Sequence, residues 1–414
     1  MRELLEQVGH RLLPRLFLKP TATLASPAVE DEAYIYFDMS TGIDLLTNSE
    51  RSLLLTLRLL NLSERRGYPL GVTLGSCTLG LVLTVLGLSR LAGWYGHYAL
   101  TVALKLQLPL ALGNAYFGLQ VHEIFRGELD QSLEHGRQAV QAFHEAGESL
   151  SLGAATSFLA WAFIQQGKLA DGLTHSNDTI RLGQDAGARN VWCCGETPCG
   201  YALRRQGHLA EAIAHQQKAI ELAEAVPHYT YRILAGAELG LCYLRQGDYD
   251  RAVAELELCQ RVAAEHHMIE PYGQVSTLNN LAEAHLFAAE HGDPAHRATR
   301  LHKAQAACRA ALKHAPKYQP KLPKAMRLQG TYEWLRGNPA KARDWWQKSL
   351  TEAERMGLRY DVGEIYLEMG QRLNERAHLE KAEAIFAEIG AAWDLARTRE
   401  CLRISAVSVN GVRE

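Results

Sequence analysis

Apolar positions along this chain recur at a helical period almost from end to end. The stretch Gly200 to Ala223 shows the pattern best: one helix ends at Arg205, Gln206-Gly207-His208 makes a tight turn, and a second helix follows. In that second helix Leu209, Ala212, Ile213, Ala219, Ile220 and Ala223 fall on one stripe, as a period near 3.6 requires. Small residues stand where the two helices must cross: Gly200 seven before the turn glycine, Ala212 and Ala219 five and twelve after it. Axes at the short end of about 8–10 Å leave room for little else there.

The unit repeats. Gly87, Gly127, Gly167, Gly207 and Gly247 are each 40 residues apart, and Gly337 follows Gly247 by 90, two periods plus ten residues. The register extends to Ala377 downstream and Thr47 upstream. Seven before the turn stand Gly80, Ala160, Gly200, Gly240, Gly330 and Gly370, with one failure at Gln120. Five after it stand Ala92, Ser132, Gly172, Ala212, Ala252, Ala342 and Ala382. This spacing resembles the tetratricopeptide-type helix pair, stretched from its ordinary 34 residues. The expected fold is all-α: a right-handed α-α superhelix, or solenoid, of about nine helix pairs with a 40-residue period. The repeat domain is expected over 47–402, with its ten extra residues near 287–298. An N-terminal helical cap and loop over 1–46 precede it, loosened at Pro20 to Pro27, and a flexible tail over 403–414 follows. Ala33-Tyr-Ile-Tyr-Phe37 has strand-prone residues, but its helical neighbours favour a helix.

Leu70 to Leu88 carries no charge and is long enough to cross a bilayer. Gly80 and Gly87 keep the repeat register there, and a solenoid helix with neighbours on all sides is also apolar all round. A buried core helix is therefore preferred to a membrane span. The chain is 47% hydrophobic and 22% charged with a net charge of -2, so it can fill a large core and carries no general pull toward nucleic acid or anionic membrane. Its eight cysteines are dispersed, and Met1 to Gln7 lacks the features of a secretory signal. Both point to free thiols and a cytoplasmic setting.

Chemistry is sparse. Cys193, Cys194 and Cys199 with His208 nearby hint at zinc, but a structural site needs four ligands in short paired spacings, and packing thiols are expected. His285, His291, His296 and His302 cluster near the insertion without a His-Glu-x-x-His motif, and are expected on a solvated rim. No cofactor or metal is assigned. The basic run Lys313, Lys317, Lys321, Lys324 and Arg327, broken by Pro316, Pro320 and Pro323, is expected to be a solvated connection. No RNA-binding aromatic motif accompanies it. The concave face is the best candidate, lined by the first helix of each pair. Trp161, Gln165, Tyr201, Arg204, Arg205, Arg245 and Trp334 are expected there, alongside Ile164, Leu241, Leu244, Thr331 and Leu335. Arginine and aromatic residues on such a surface suit a peptide or an acidic protein segment.

Ala325 to Leu350 and His378 to Arg397 resemble the C-terminal helical-repeat region of bacterial signalling proteins, and Leu53 to Arg65 resembles its start. Those proteins fuse class III adenylate/guanylate cyclase or Ser/Thr kinase domains to a STAND/AAA-type predicted ATPase. The resemblance implies a non-catalytic sensor or coupling arm acting on a linked or separate ATPase, cyclase or kinase domain. The alternative is a C-terminal fragment of such an enzyme, its catalytic domains absent from this chain. The nucleotide chemistry is absent here: no Gly-x-x-x-x-Gly-Lys-Ser/Thr loop occurs, and Gly71 to Gly80 has no lysine to reach phosphates. The expected partner is a protein or peptide, not nucleic acid or membrane.

Overall fold

The computed structural model describes residues 2–13, 26–40, 49–226, 228–268 and 270–410. Among them are twenty helices and no strand, arranged as a right-handed α-α superhelix of tetratricopeptide-like pairs. Helices α1 (Arg2–Leu12) and α2 (Pro27–Ser40) come first. The regular array opens with α3 (Ser49–Arg66), α4 (Pro69–Leu86), α5 (Ser89–Leu106) and α6 (Pro109–Arg126). It continues through α7 (Leu129–Ala146), α8 (Ser149–Gln165), α9 (Leu169–Asp185) and α10 (Arg189–Gln206). Next come α11 (Leu209–Ala225), α12 (Tyr229–Arg245), α13 (Tyr249–Glu265) and α14 (Pro271–His291). The last six are α15 (Arg297–His314), α16 (Leu322–Leu335), α17 (Pro339–Arg355), α18 (Arg359–Leu373), α19 (Arg376–Glu388) and α20 (Ala392–Asn410).

Turns fall every 20 residues through most of this array, twice as often as the 40-residue register marked. Gly67, Gly87, Gly127, Gly147, Gly167, Gly187, Gly207 and Gly247 all have positive φ, and Gln107 (φ 55°) and His267 (φ 49°) hold equivalent places. A left-handed residue after the last helical turn lets the chain reverse while its N–H closes the helix. Ala377, the next position in register, lies inside α19; the turn comes earlier, at Asn374 with φ 54°. Thr47, at the other end, lies outside the described residues.

The small-residue pairs have a direct cause. A Cβ on Gly80, Gly200, Gly240 or Gly330 would stand 3.3, 3.0, 3.3 or 3.1 Å from the carbonyl of Ala92, Ala212, Ala252 or Ala342. Each is the residue five after the turn, so the two backbones touch. Gln120 shows how the rule is met by other means. Its side chain turns away to donate to the Ala155 carbonyl (3.0 Å), while Ser132 donates to the Gln120 carbonyl (2.9 Å). The small residue has moved to Gly136, where an added Cβ would meet the Gln120 amide.

First helices of the pairs are enclosed by neighbours; second helices bury one stripe. α4 is buried from Gly71 to Val85. It is the one helix among the described residues long and apolar enough to span a bilayer, and 83% of that stretch lies inside the fold. α11 instead buries only Ala212, Gln216, Ala219, Leu222 and Ala223. Ala33 to Phe37 is helical within α2, and the final helix runs on past 402 to Asn410.

The superhelix winds far enough to stack on itself. Beside the turn glycine Gly127 lies Met356, beside Gly167 lie Ile389 and Arg359, and beside Gly207 lies Trp393. One cluster of buried apolar residues accordingly extends from Cys77 to Leu402. Ala315 to Leu322, read from sequence as a solvated connection, instead crosses the interior. Tyr318 is 1% exposed, stacked on Tyr272 at 4.4 Å and set edge-on to Phe125 at 4.9 Å. Pro316 and Pro320 sit in two short 3-10 turns, Ala315–Lys317 and Gln319–Lys321, and Pro323 stands in the first turn of α16, where a missing N–H costs nothing.

Candidate functional site

The self-stacking converts part of the concave face into a cavity of about 220 Å³. It lies at the C-terminal ends of the first helices. α8 contributes Gln165, α10 contributes Tyr201, Arg204 and Arg205, and α12 contributes Glu238, Leu241, Leu244 and Arg245. Lys321, Lys324, Tyr360, Asp361, Glu364 and Trp393 close it from the second superhelical turn.

Burial makes this a charged interior, not an open groove. Arg204 is 5% exposed and Arg205 3%. Arg204 Nη2 lies 2.8 Å from Glu238 Oε2, and Lys324 Nζ 2.7 Å from Glu283 Oε2. Arg245 donates to the Tyr360 hydroxyl (2.7 Å) and faces Asp394 at 3.3 Å; Tyr360 in turn donates to Asp394 at 2.7 Å. Arg205 donates to the Ile164 carbonyl (3.0 Å) and the Tyr201 hydroxyl (2.8 Å), with its guanidinium 3.9 Å from the Tyr360 ring centroid. Planar guanidinium suits both roles, since it hydrogen-bonds in plane and stacks on aromatic faces. Burial opposes ionisation of Glu238, but Arg204, Lys321 and Lys324 outweigh it and hold the carboxyl below its usual range. Desolvation likewise opposes ionised Glu283, and Lys324 and Arg327 pull it well down.

The lining holds six cations (Arg204, Arg205, Arg245, Lys321, Lys324, Arg397) against four carboxylates (Glu238, Glu283, Asp361, Glu364), and Asp394 behind Arg245 brings the excess to one. Lys321 donates to the Tyr201 hydroxyl at 3.2 Å and lies 5.0 Å from that ring. Among the described residues it has no carboxylate within ion-pair range.

Five of the residues expected on the concave face (Gln165, Tyr201, Arg204, Arg205 and Arg245) thus line one cavity, with Leu241 and Leu244. Trp161 sits behind it, 2% exposed, packed edge-on to Tyr201 (5.2 Å) and Tyr272 (5.3 Å). Trp334 lies elsewhere, against Trp346 at 5.8 Å. Sequence reasoning missed Glu238, Tyr360, Asp361, Glu364 and Trp393. Glu238 carried a signal, since a buried arginine demands a carboxylate nearby; the others come from the second superhelical turn.

The remaining candidates disperse. Cys193 donates to the Ala219 carbonyl, Cys199 lies 3.7 Å from His215, and Cys194 borders a different cavity. His285 is buried, not on a solvated rim; it lies 2.9 Å from the Tyr249 hydroxyl, and desolvation lowers its pKa to about 4. His291 contacts the Phe287 carbonyl, and His296 lies near Asp293.

Fold and site together define a tetratricopeptide-type helical-repeat region. The tetratricopeptide repeat model matches residues 200–226 and 237–266, the two units around Gly207 and Gly247. Among solved structures, the chain is similar to a Rap protein complexed with competence and sporulation factor. The TM-score is 0.63 at 12% identity, covering 91% of this chain and 99% of that one. It is also similar to the Rap conjugation gene regulator of plasmid pLS20 in complex with the Phr* peptide (TM-score 0.56, 13% identity, 92% and 99% covered). A third is the apo form of RapI (TM-score 0.51, 12% identity, 69% and 98% covered). At these identities the likeness is one of fold. No curated protein matches the chain in sequence.

Proposed function

We propose that this chain is a non-catalytic scaffold whose central cavity receives the acidic end of a short peptide or protein segment. The observation that carries the reading is the cavity's excess of cations, with Lys321 beside the Tyr201 ring and outside ion-pair distance of the Glu238 that it helps to hold ionised. About 220 Å³ admits a carboxylate and one or two side chains, not a folded surface. A partner therefore enters by a terminus or an extended loop. The Phr* peptide named in the complex of the pLS20 Rap regulator supports this reading by analogy of fold.

The test is fluorescence anisotropy with a labelled pool of Asp/Glu-rich hexapeptides, and a Lys-rich pool as control. Lys321→Ala is the variant of choice, since Lys321 is half-buried. Reversing Arg204 or Arg205 to Glu instead places like charges together in the interior and unfolds the site. The acidic pool is expected to bind with an affinity that Lys321→Ala lowers about tenfold, the effect of deleting one hydrogen bond to a charged group. Equal binding of both pools, or an unchanged affinity in Lys321→Ala, contradicts the reading.

The finer proposal is that the scaffold serves as the coupling arm of a bacterial signalling ATPase, cyclase or kinase, as the resemblance over 325–350 and 378–397 implies. An in-frame cyclase, kinase or P-loop coding region immediately upstream of Met1 would make this chain the C-terminal part of such an enzyme.

A further inference from the structure

From Pro294 to Tyr332 the chain carries no aspartate or glutamate, while nine lysines and arginines stand there. Part of that charge lies inside: Lys321 and Lys324 line the charged cavity, and Arg327 faces Glu364 at 3.3 Å. α15 bears most of the rest. As the second helix of its pair it buries only Ala304, Ala307, Cys308 and Ala311 and turns its other face to solvent. Three of its cations are engaged. Arg297 donates to the Leu335 carbonyl (2.9 Å), Arg300 to the Ala288 carbonyl (2.8 Å), and Lys303 lies 3.8 Å from Glu257. Arg309, Lys313 and, in the 3-10 turn that follows, Lys317 remain. All three are exposed, each four residues from the next, and none has a carboxylate within ion-pair range among the described residues.

The neighbouring second helices are built differently. α7, α9, α11, α13, α17 and α19 each set a lysine or arginine within 3.8 Å of a carboxylate three or four residues away, as Arg181 does with Asp178 and Arg355 with Glu352. α15 has no such pair, because it has no carboxylate. Like charges four apart on a helix repel about as much as opposite ones attract. The helix dipole favours a cation in the last turn, which accounts for Lys313 but not for Arg309 before it. His314 registers the same positive field: burial lowers its pKa, and Lys317 and Lys313 lower it further. In the free chain this repulsion is uncompensated, and an anionic partner would relieve it.

Spacing and surroundings favour a protein over a nucleic acid. Residues four apart on a helix rise about 6 Å, so carboxylates four apart on a second helix match the row. The Lys317 stem lies across the turn at Gly87, where an added Cβ would stand 3.1 Å from its Cγ, and the next residue, Leu88, is 52% exposed. An acidic segment with one apolar residue covers both, whereas a phosphate backbone leaves Leu88 in water. α15 also offers no aromatic ring on which a base could stack. We infer that the row Arg309, Lys313 and Lys317 docks an acidic helical segment of a partner protein, with aspartates or glutamates four residues apart. This surface lies outside the cavity and does not rest on the peptide reading.

The experiment is fluorescence anisotropy of the full chain at low salt with a labelled alanine-based helical peptide, its glutamates four residues apart and a leucine after the last. An isomer of the same composition with scattered glutamates tests the register, and a short DNA duplex supplies phosphates alone. The first peptide is expected to bind most tightly and to be released at about 0.5 M salt, where exposed charges are screened. Lys313→Ala should weaken it about two- to fivefold, the effect of one exposed ion pair. Arg309→Glu with Lys313→Glu should weaken it at least about tenfold, for like charges then face each other. Failure of the first peptide to bind, or binding untouched by the double reversal, overturns the site. Equal binding of the scattered isomer overturns the helical register, and tighter binding of the duplex overturns the class of partner. A loss in Lys321→Ala equal to that in Lys313→Ala would place the peptide in the cavity and overturn the location.

Discussion

Tyr318 fills the interior of the superhelix, and its removal gives the sharpest test of that architecture. The ring is 1% exposed, 4.4 Å from Tyr272 and 4.9 Å from Phe125, and its hydroxyl accepts from the Gln165 amide at 3.1 Å. Tyr318→Phe removes the hydroxyl shared with Gln165 and Tyr272, leaving the Gln165 N–H unpaired, and should cost about 1 kcal/mol. Tyr318→Ala deletes the ring between packed neighbours on both sides. The forfeited transfer energy plus the unfilled space amount to about 3–5 kcal/mol for a buried aromatic. Chemical denaturation in urea reads both, as a shift in midpoint with unchanged slope. Hydrogen exchange over 315–322 should rise only in the alanine variant. If Tyr318→Ala costs no more than Tyr318→Phe, the segment does not plug the superhelix.

Two further outcomes follow from other parts of the fold. Gly127 and Gly247 both have positive φ (73° and 81°), so alanine at either carries a left-handed strain of about 1 kcal/mol. A Cβ at Gly127 also collides with Met356, whereas Gly247 has nothing within 4 Å; thermal melts should therefore show Gly127→Ala as clearly the less stable. Burial raises the Glu270 carboxyl from 4.5 to about 7 against its two backbone N–H bonds. Between those values the folded chain holds a proton that the unfolded chain has released, so stability falls as pH rises from 4.5 to 7 and then levels, by up to about 3 kcal/mol. Glu270→Gln should flatten that slope in denaturation curves taken at pH 5 and pH 8, and a slope unchanged by the substitution would falsify the assignment.

The fold was legible because helix crossings leave a mark in the chain: Gly200 against Ala212 and Gly240 against Ala252 are approaches that only small residues permit. The half-period turns were less visible, since Gln107 and His267 do with strained φ what glycine does elsewhere. Gln120 broke the pattern for a reason written in Gly136, a compensation detectable only once the partner helix is known. The cavity was legible on one side. Offsets from the turn glycine located Gln165, Tyr201, Arg204, Arg205 and Arg245, but the same offsets placed Trp161 and Trp334 with them. What separates these is which residues the second superhelical turn covers. Tyr360 and Trp393 lie more than a hundred residues from Arg245, and nothing in local spacing records that approach. The basic run was visible as charge, yet Tyr318 in its midst is the residue that anchors it inside.

The stacking of one superhelical turn on the other changes how the chain would respond to force. An open solenoid touches only its sequence neighbours, so tension on its ends peels it repeat by repeat. Here the last helix carries Asp394, bound to Arg245 at 3.3 Å, and Trp393, set against Gly207. Under a pull on the C-terminus these links, far apart in sequence, take the load first. Their rupture would uncover Arg245, which Asp394 and Trp393 hold, while Tyr360 and Asp361 on α18 still cover Arg205, so loosening of α20 and opening of that one wall of the charged chamber would be a single mechanical event.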